Sequence, residues 1–444
     1  MLLAENRDNQ KLSKAKHAKT VTIYRLTVQQ YTISMKSSSK LWRHANFLRF
    51  WSANIISDFG SGITFLALPI IGAVMLEATA GQMGLLSAAG TLPYLLIGLP
   101  VGVFVDQRRK RPLLIIADIG RLILIGTLPL AVLFWQLTWP HLLLVTFLVG
   151  CLTLLANVAE EAFLPGLISR DNLVEGYSKL SASNSLIELS GPALAATLID
   201  LLTAPIALMI DAASFLLSSV LLGSIKMGEP APKPVSERPS FWQQVRQGLS
   251  FIRHHAQLRP MLLNNSSMQL FGGMIDALLI LYLLHLGLPA TFVGVIFAVG
   301  SLAGLAAAAW GRRAAKRFGL GKMVILGSLL IGVGALARPF AFGTPWLAGA
   351  ILLLGQTFSG FGNTVYDIGY DSLAQSLTPD EFLGRVNATG LFIGFGALPV
   401  GALLGGMFGE WFGLRTAVAI SSTGLLLSVL WVYFSPLQKN PKSA

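Results

Sequence analysis

Apolar stretches of about 20 residues recur along this chain, and each is long enough to cross about 30 Å of hydrocarbon as a helix. The first six run over residues 47–76, 82–105, 113–135, 139–163, 183–203 and 205–225. The second six run over residues 260–284, 289–311, 321–342, 346–371, 384–409 and 413–435. Only 12% of all residues are charged, whereas soluble domains average roughly 25%. The sequence therefore predicts an all-α integral membrane protein with twelve transmembrane helices.

The placement of charge predicts the orientation of these helices. Lys and Arg outnumber Asp and Glu by 33 to 21. The cations collect in alternate connections, as at Arg108–Arg111, Arg170 and Arg312–Arg317, and the intervening loops lack them except at Arg415. Cytoplasmic loops carry this excess in membrane proteins. We therefore expect a multi-pass protein of the cell membrane with both termini in the cytoplasm and an uncleaved first helix.

Short matches recur at an offset of about 210 residues and indicate an internal repeat. Gly84 and Gly90 match Gly294 and Gly300, and their order along the chain is kept. Two pseudo-symmetric six-helix bundles are predicted. The expected domains are a basic cytoplasmic segment (1–46, with 1–34 as a candidate disordered extension), the N-terminal bundle (47–225), a cytoplasmic linker (226–259), the C-terminal bundle (260–435) and a cytoplasmic tail (436–444).

The linker contains a predicted amphipathic helix. Its apolar positions are Trp242, Val245, Leu249 and Ile252, which follow one another at helical spacing. Such a helix either lies on the inner membrane surface through its apolar face or packs against the bundles. The sequence leaves both interpretations open.

The connection after the second stretch reads GLPVGVFVDQRRKR, with Gly102 four residues before Asp106 and a run of cations behind it. This resembles the loop signature of the major facilitator superfamily, GxxxD followed by a basic cluster. The resemblance implies a carrier in which Gly102, Asp106, Arg108 and Arg111 form a gate. In that family these residues tie the second helix to the eleventh and favour the outward-facing state. Alternatively, the cations only follow the inside-positive rule.

Further motifs resemble a subgroup of that superfamily, the macrolide-efflux and enterobactin-exporter proteins. They are ADIGR from Ala117, FLPGLISRDNL from Phe163, SGPALA from Ser190 and IDAASF from Ile210. The resemblance implies a secondary active transporter that exports small amphipathic compounds of the drug or macrolide type by proton antiport. One alternative is an enterobactin-like siderophore exporter. An alternative of another class is a non-transporting membrane sensor or scaffold.

Charged residues inside the predicted spans are candidate sites, because a lone charge in a bilayer costs about 2.5–3.5 kcal/mol on insertion scales. Asp58 lies near the midplane of the first span with Asn54 one turn earlier, and such a carboxylate can bind a proton or a cationic drug. The alternative role for Asp58 is a structural hydrogen-bond acceptor. The candidates for substrate binding or proton coupling are Asp58, Asn54, Gln269, Asp276 and Asp211.

A second group of charges falls near the cytoplasmic mouth and is interpreted as a structural or gating network. Asp118 and Arg121 share a helix face and can neutralise each other. The full predicted network is Asp118, Arg121, Glu160, Glu161 and Glu188. Small or helix-bending residues in the fifth and eleventh spans are candidate hinges, with ordinary helix packing as the alternative. These are Gly191, Pro192, Pro399 and Gly401.

Several signals are missing from the sequence. It contains no GxxxxGK[ST] loop, no nucleophile elbow and no zinc-hydrolase motif. We therefore expect no catalytic residues, no metal, no cofactor and no enzymatic activity, with ion-gradient coupling favoured over ATP. The expected partners are a small amphipathic substrate, protons and the lipid bilayer. We expect a monomer that binds no nucleic acid.

Overall fold

The computed structural model describes residues 41–134, 136–169, 172–227 and 241–438, and every regular element in these ranges is helical. The helices are α1 Ala45–Ile70, α2 Ala80–Leu96, α3 Gly98–Asp106, α4 Lys110–Phe134, α5 Trp139–Leu167, α6 Leu173–Leu202, α7 Ala204–Gly223, α8 Phe241–His254, α9 Leu258–His285, α10 Phe292–Phe318, α11 Leu320–Leu336, α12 Pro345–Leu377, α13 Asp380–Phe412 and α14 Leu414–Tyr433. The predicted extension 1–34 and the end of the predicted tail lie outside the described residues.

The spans follow the predicted order. Within the described ranges, ten helices are long and apolar enough to cross a bilayer, or eleven when the bent pair α2 and α3 counts as one span. The 33-residue α12 is not among them, because polar residues such as Gln356, Asn363 and Asp367 interrupt its apolar stretch. Helix α6 begins at Leu173, ahead of the residue 183 that hydropathy alone suggested.

The second predicted span is broken. Helices α2 and α3 meet at 56°, although their residues were expected to form one continuous helix. Pro100 lacks the N–H that would bond to the carbonyl of Leu96, and Gly98 adds backbone freedom at the same point. The helical ladder therefore stops at Ile97, whose ψ is 1°.

Two bundles form, and equivalent contacts in each support the internal repeat. In the N-terminal bundle α1 and α4 pack on α7, and α2 packs on α5; in the C-terminal bundle α9 and α11 pack on α14, and α10 packs on α12. A Cβ placed on Gly150 would lie 2.6 Å from the carbonyl oxygen of Gly90. Gly360 likewise approaches the carbonyl of Gly300, one repeat further along the chain.

The same repeat appears in the backbone of two very short connections. Thr203 joins α6 to α7 at φ 76° and ψ 155°, and Gly413 joins α13 to α14 at φ 82° and ψ 157°. This region of conformational space suits glycine almost exclusively. The N-terminal bundle therefore contains a strained threonine where the C-terminal bundle has a relaxed glycine.

The two bundles approach each other most closely on one side. We call the side that carries Arg108–Arg111 the basic face and the other side the opposite face. Near the opposite face, a Cβ on Gly84 of α2 would lie 2.6 Å from the carbonyl oxygen of Ala402 in α13. A Cβ on Gly294 of α10 would overlap the Ala196 Cβ and lie 2.8 Å from the carbonyl oxygen of Pro192, both in α6. At both contacts a glycine of one bundle lies directly against a helix of the other. These contacts, hereafter the glycine seams, close the opposite face.

A hydrogen bond adds to one seam. The Glu410 carboxylate near the end of α13 accepts from the backbone N–H of Gly81 in the first turn of α2, at 3.0 Å. A negative charge beside the first turn of a helix is favourable, because the free N–H groups there carry partial positive charge. Glu410 therefore holds the two bundles together at the opposite face.

The linker helix α8 packs on the C-terminal bundle. A Cβ on Gly248 would overlap the carbonyl oxygen of Arg385 in α13, and the ring of Phe251 stacks on Phe382 with centroids 4.8 Å apart. Ile252 is buried at 3% exposure, whereas Leu249 is 44% exposed. These contacts favour the helix packed on the bundles over one lying on the membrane surface. The side chains of Trp242 and Val245 lie outside the described set.

Candidate functional site

A cavity of about 600 Å³ lies between the bundles and is lined mainly by α6, α9, α10 and α12. Its deep end contains Asp276, Arg338 and Gln356, with Arg338 Nη2 donating to Gln356 Oε1 at 3.3 Å. The Tyr282 hydroxyl donates to the Arg338 carbonyl at 2.7 Å and fixes this short turn. Exposed Glu188 and Asp367 line the end nearer the basic face. The cavity thus has charged groups at both ends, with apolar residues between them, and is accessible from the basic face.

Carboxyl groups outnumber cations in this lining. Glu188, Asp276 and Asp367 contribute three carboxyl groups against the single guanidinium of Arg338. Asp276 and Arg338 share the deep end, but among the described residues the ion pairs within 4.0 Å are formed elsewhere. The predicted candidate Gln269 also lines this cavity. The site can therefore take a cationic group in contact with water.

A smaller, mostly apolar cavity of about 240 Å³ adjoins the first near the opposite face. Asp276 and Phe297 line both cavities. The Phe297 ring meets Phe65 of α1 edge to face, with centroids 6.1 Å apart, so the two bundles each contribute one aromatic ring. Together the cavities provide polar and apolar walls for an amphipathic molecule.

Inside the N-terminal bundle, charge gathers around Arg121. Its guanidinium pairs with Asp118 at 2.5 Å and stacks over the Phe215 ring at 4.2 Å. Its charge also acts on Asp58, Glu160 and Asp211. Asp118 therefore contacts the cation directly, and Asp58, Glu160 and Asp211 lie within its electrostatic range; we call these five residues the Arg121 cluster.

The structure joins residues that the sequence interpretation kept apart. Asp58 and Asp211 were candidates for substrate binding or proton coupling, apart from the inner network, yet both belong to the Arg121 cluster. Asp211 is fully buried and accepts hydrogen bonds from the hydroxyls of Thr64 and Ser214. Asp58 and Asp211 therefore share the electrostatic environment of Asp118, Arg121 and Glu160 from the predicted inner network.

The remaining predicted residues, Asn54 among the coupling candidates and Glu161 and Glu188 of the inner network, lie in different places. Asn54 shares a helix face with Asp58, as expected, but its amide donates to Glu160 of α5. Glu161 is exposed, although its charge acts on the neighbouring Glu160. Glu188 faces the central cavity, and its backbone carbonyl accepts from Ser301 Oγ at 3.4 Å.

The predicted gating loop lies at the exposed end of α3. Arg111 donates from Nε to the carbonyl of Leu222 at 2.8 Å and from Nη2 to that of Gly223, so it caps the C-terminus of α7 in its own bundle. The Arg108 guanidinium lies 5.5 Å from the Phe104 ring centroid. A Cβ on Gly102 would meet no heavy atom within 4 Å, and Asp106 is exposed. The link to the eleventh span remains a prediction for the other conformational state.

The candidate hinges occupy different environments. A Cβ on Gly401 would overlap the Leu270 carbonyl, which supports the alternative of close helix packing. Gly191 has room, with Ile187 Cγ2 at 3.5 Å, and Pro192 lies in a glycine seam. Pro399 is buried inside α13. A hinge role for any of the four remains a prediction.

The sequence interpretation missed several polar residues of these sites. Thr64 and Ser214 bind Asp211, Gln356 binds Arg338, and Glu410 binds the start of α2. Thr64 and Ser214 are uncharged and frequent in apolar helices, so nothing in their local sequence marked them. Glu410 was detectable as an acidic residue on a loop side otherwise poor in charge.

Two helical bundles that enclose a polar cavity, accessible from one face and closed at the other, define a membrane transporter. The family model of the Major Facilitator Superfamily matches residues 50–397. The chain belongs to this superfamily.

Individual relatives and solved structures agree with that assignment. The uncharacterized MFS-type transporter YfiS of Bacillus subtilis is 25% identical, over 85% of this chain and 89% of its own length. Macrolide efflux protein A of Streptococcus pyogenes is 23% identical, over 85% and 92%. A bacterial homologue of the iron transporter ferroportin in an inward-facing state has a similar fold, with a TM-score of 0.70 at 16% identity, over 89% of this chain and 99% of that one.

Proposed function

We propose that this protein exports small amphipathic compounds, cationic ones in particular, by proton antiport with alternating access. The observation that carries the proposal is the Arg121 cluster, four carboxyl groups around one cation, beside a cavity lined by more carboxylates than cations. Efflux is the activity in the name of the macrolide efflux protein that this chain resembles. We further propose that the basic face is cytoplasmic, so that the present state faces inward.

Charge balance supports protons as the coupling ion. If all four carboxyl groups were ionised, three negative charges would remain without a cation inside a low-dielectric bundle, which is costly. Proton uptake removes that cost. Arg121 Nε is buried and makes no hydrogen bond with the described residues, so it can accept a new carboxylate partner. We propose that Arg121 changes partners as Asp58 and Glu160 gain and lose protons.

The chemistry of the cavity supports the type of cargo. A cation entering from the basic face meets Glu188 and Asp367 first and Asp276 at the deep end. Phe65 and Phe297 offer aromatic faces on which a flat, apolar body can stack. An anionic catecholate siderophore would find one guanidinium, that of Arg338, among the described lining residues. The drug-type cargo is therefore favoured over the siderophore.

Transport by purified protein in proteoliposomes tests the proposal. An imposed pH gradient should drive accumulation of ethidium or erythromycin in wild-type vesicles. Asp58→Asn and Glu160→Gln keep the shape of each side chain and remove the titrating group, so both should abolish the response to pH. Counterflow of substrate without a gradient should persist, because binding and rocking need no net proton movement.

Asp200→Asn is the matched control. Asp200 is an exposed carboxylate near the end of α6, outside the cavity lining and outside the Arg121 cluster, so transport should match wild type. Unchanged pH-driven transport in both Asp58→Asn and Glu160→Gln would refute proton coupling through the cluster. Secretion defects limited to iron-poor medium would favour the siderophore, and absence of any transported compound would favour a sensor or scaffold.

A further inference from the structure

A second, larger concavity lies on the outer surface of the C-terminal bundle, separate from the central cavity. It has a volume of about 900 Å³ and lies where the turn between α8 and α9 meets the end of α14. Arg253, His254, His255 and Arg259 line it at the basic face. The rest is lined mainly by apolar residues of α9, α14 and the turn after α14, with Ser267, Ser428 and Ser435 among them. We call it the lateral groove. A groove with a basic mouth and an apolar body has the polarity of an interfacial ligand site.

Two permanent positive charges stand at its mouth. Arg253 and Arg259 are both exposed, and neither forms an ion pair with a carboxylate within 4.0 Å in the described part of the chain. They lie on either side of the turn that joins α8 to α9, so both can reach one anionic group placed between them. Arginine suits phosphate especially, because its planar fork donates two parallel hydrogen bonds.

His255 has a structural role in the turn and does not bind the anion itself. His255 Nδ1 accepts from the backbone N–H groups of Gln257 and Leu258, each at 3.3 Å, and so caps the start of α9. Burial also lowers the pKa of His255, so the ring stays neutral at physiological pH. Its capping role fixes the turn and with it the spacing of the two arginines.

The apolar part of the groove has the shape to accommodate an acyl chain parallel to α9 and α14. Gly424 has no side chain, and the Phe271 ring fills the space where its Cβ would be, which forms the floor between α9 and α14. The Trp431 indole N–H donates to Ser267 Oγ at 3.2 Å and keeps the ring in one orientation. Leu427 and Phe434 are 54% and 80% exposed and extend the wall toward the basic face.

We propose that the lateral groove binds an anionic glycerophospholipid from the leaflet at the basic face, with its phosphate between Arg253 and Arg259 and an acyl chain between α9 and α14. The charge complementarity of the mouth and the apolar body together select this occupant. A free phosphate ion would use only the mouth, and a zwitterionic lipid would gain little from two unpaired cations. Because α8 and α9 meet at the mouth, the lipid would join the linker helix to the C-terminal bundle.

Native mass spectrometry of the full chain in detergent, titrated with phosphatidylglycerol, tests this. The double variant Arg253→Gln, Arg259→Gln should bind phosphatidylglycerol about 25-fold more weakly, because each cation near an anionic headgroup contributes a factor of about five. Arg253→Lys with Arg259→Lys should retain most of the affinity. The control is Arg313→Gln with Arg317→Gln, two exposed cations at the basic end of α10 and outside the groove.

Parallel titrations with phosphatidylcholine and with inorganic phosphate distinguish the possible sources of the bound group. The proposal expects weak binding of phosphatidylcholine and no displacement of phosphatidylglycerol by millimolar phosphate. Equal affinity for both lipids, an equal loss in the control variant or full displacement by phosphate would each overturn it. Size-exclusion profiles of all variants verify that the loss does not come from misfolding.

Discussion

Replacing Gly84 by alanine adds one methyl group at a glycine seam. The new Cβ would lie 2.6 Å from the carbonyl oxygen of Ala402 and 2.7 Å from the Cα of Gly406. Both are backbone atoms, so no side chain can rotate away, and α2 must move from α13 by roughly 1 Å to reach ordinary contact. Overpacking of this kind costs about 1–3 kcal/mol. The population of molecules with a closed opposite face, relative to those with an open one, should therefore fall by about 5- to 150-fold.

Spin-label distances across the opposite face measure this shift. Labels on exposed Gln136 and His285, one in each bundle, report the separation by double electron–electron resonance in a Cys151→Ser background. Gly84→Ala should broaden the distribution toward longer distances. Gly90→Ala is the control on the same helix, because its Cβ would meet only Thr146 Cγ2, at an ordinary 3.6 Å.

An unchanged distance distribution would contradict this role of the seam. If Gly84→Ala and Gly90→Ala give the same distance distribution as the wild type, and all three unfold at the same temperature, the seam does not set the closed state. The contact between α2 and α13 would then be incidental to the conformational equilibrium.

Three further predictions concern packing, strain and charge. Gly60→Ala should lower the free energy of unfolding by about 1–3 kcal/mol, because the new Cβ would overlap the buried side chains of Asp211 and Ser214. Gly62→Ala is the control and should unfold like the wild type, because its Cβ would meet no heavy atom within 4 Å. Thr203→Gly should raise the thermal midpoint in detergent by relieving about 1–3 kcal/mol of strain, and Gly413→Thr should lower it. Glu410→Gln keeps a hydrogen-bond acceptor but removes the negative charge beside the first turn of α2. The ratio of open to closed opposite face, measured with the same spin labels, should therefore rise about two- to fivefold at low salt and by a smaller factor at high salt.

The sequence predicted the spans well because crossing a bilayer demands only length and apolarity, which are local properties. The internal repeat was equally accessible, since Gly90 and Gly300 make the same contact in each bundle. The bend between α2 and α3 was missed, because hydropathy does not register the missing N–H of Pro100. The early start of α6 was missed because its first turns are polar and extend beyond the apolar stretch.

Site residues were identified individually but not in their groups. A charge inside an apolar span is visible in the sequence, so Asp58, Arg121 and Asp276 were all named in advance. Which of them meet depends on helix rotation and on packing between helices, which a single sequence does not specify. The sequence therefore did not show that Asp211 lies near Arg121 or that Gln356 is the hydrogen-bond partner of Arg338.

The glycine seams have a consequence for how this chain tolerates change. Each seam glycine lies against main-chain atoms, with the methyl group of Ala196 also beside Gly294, and none of these atoms can rotate away. The volume of a new side chain therefore decides which substitutions are tolerated there. Saturation mutagenesis should find the residues facing lipid on α2 and α10 permissive to almost any apolar replacement. Gly84 and Gly294 should instead reject even the smallest side chain, however well it suits a helix.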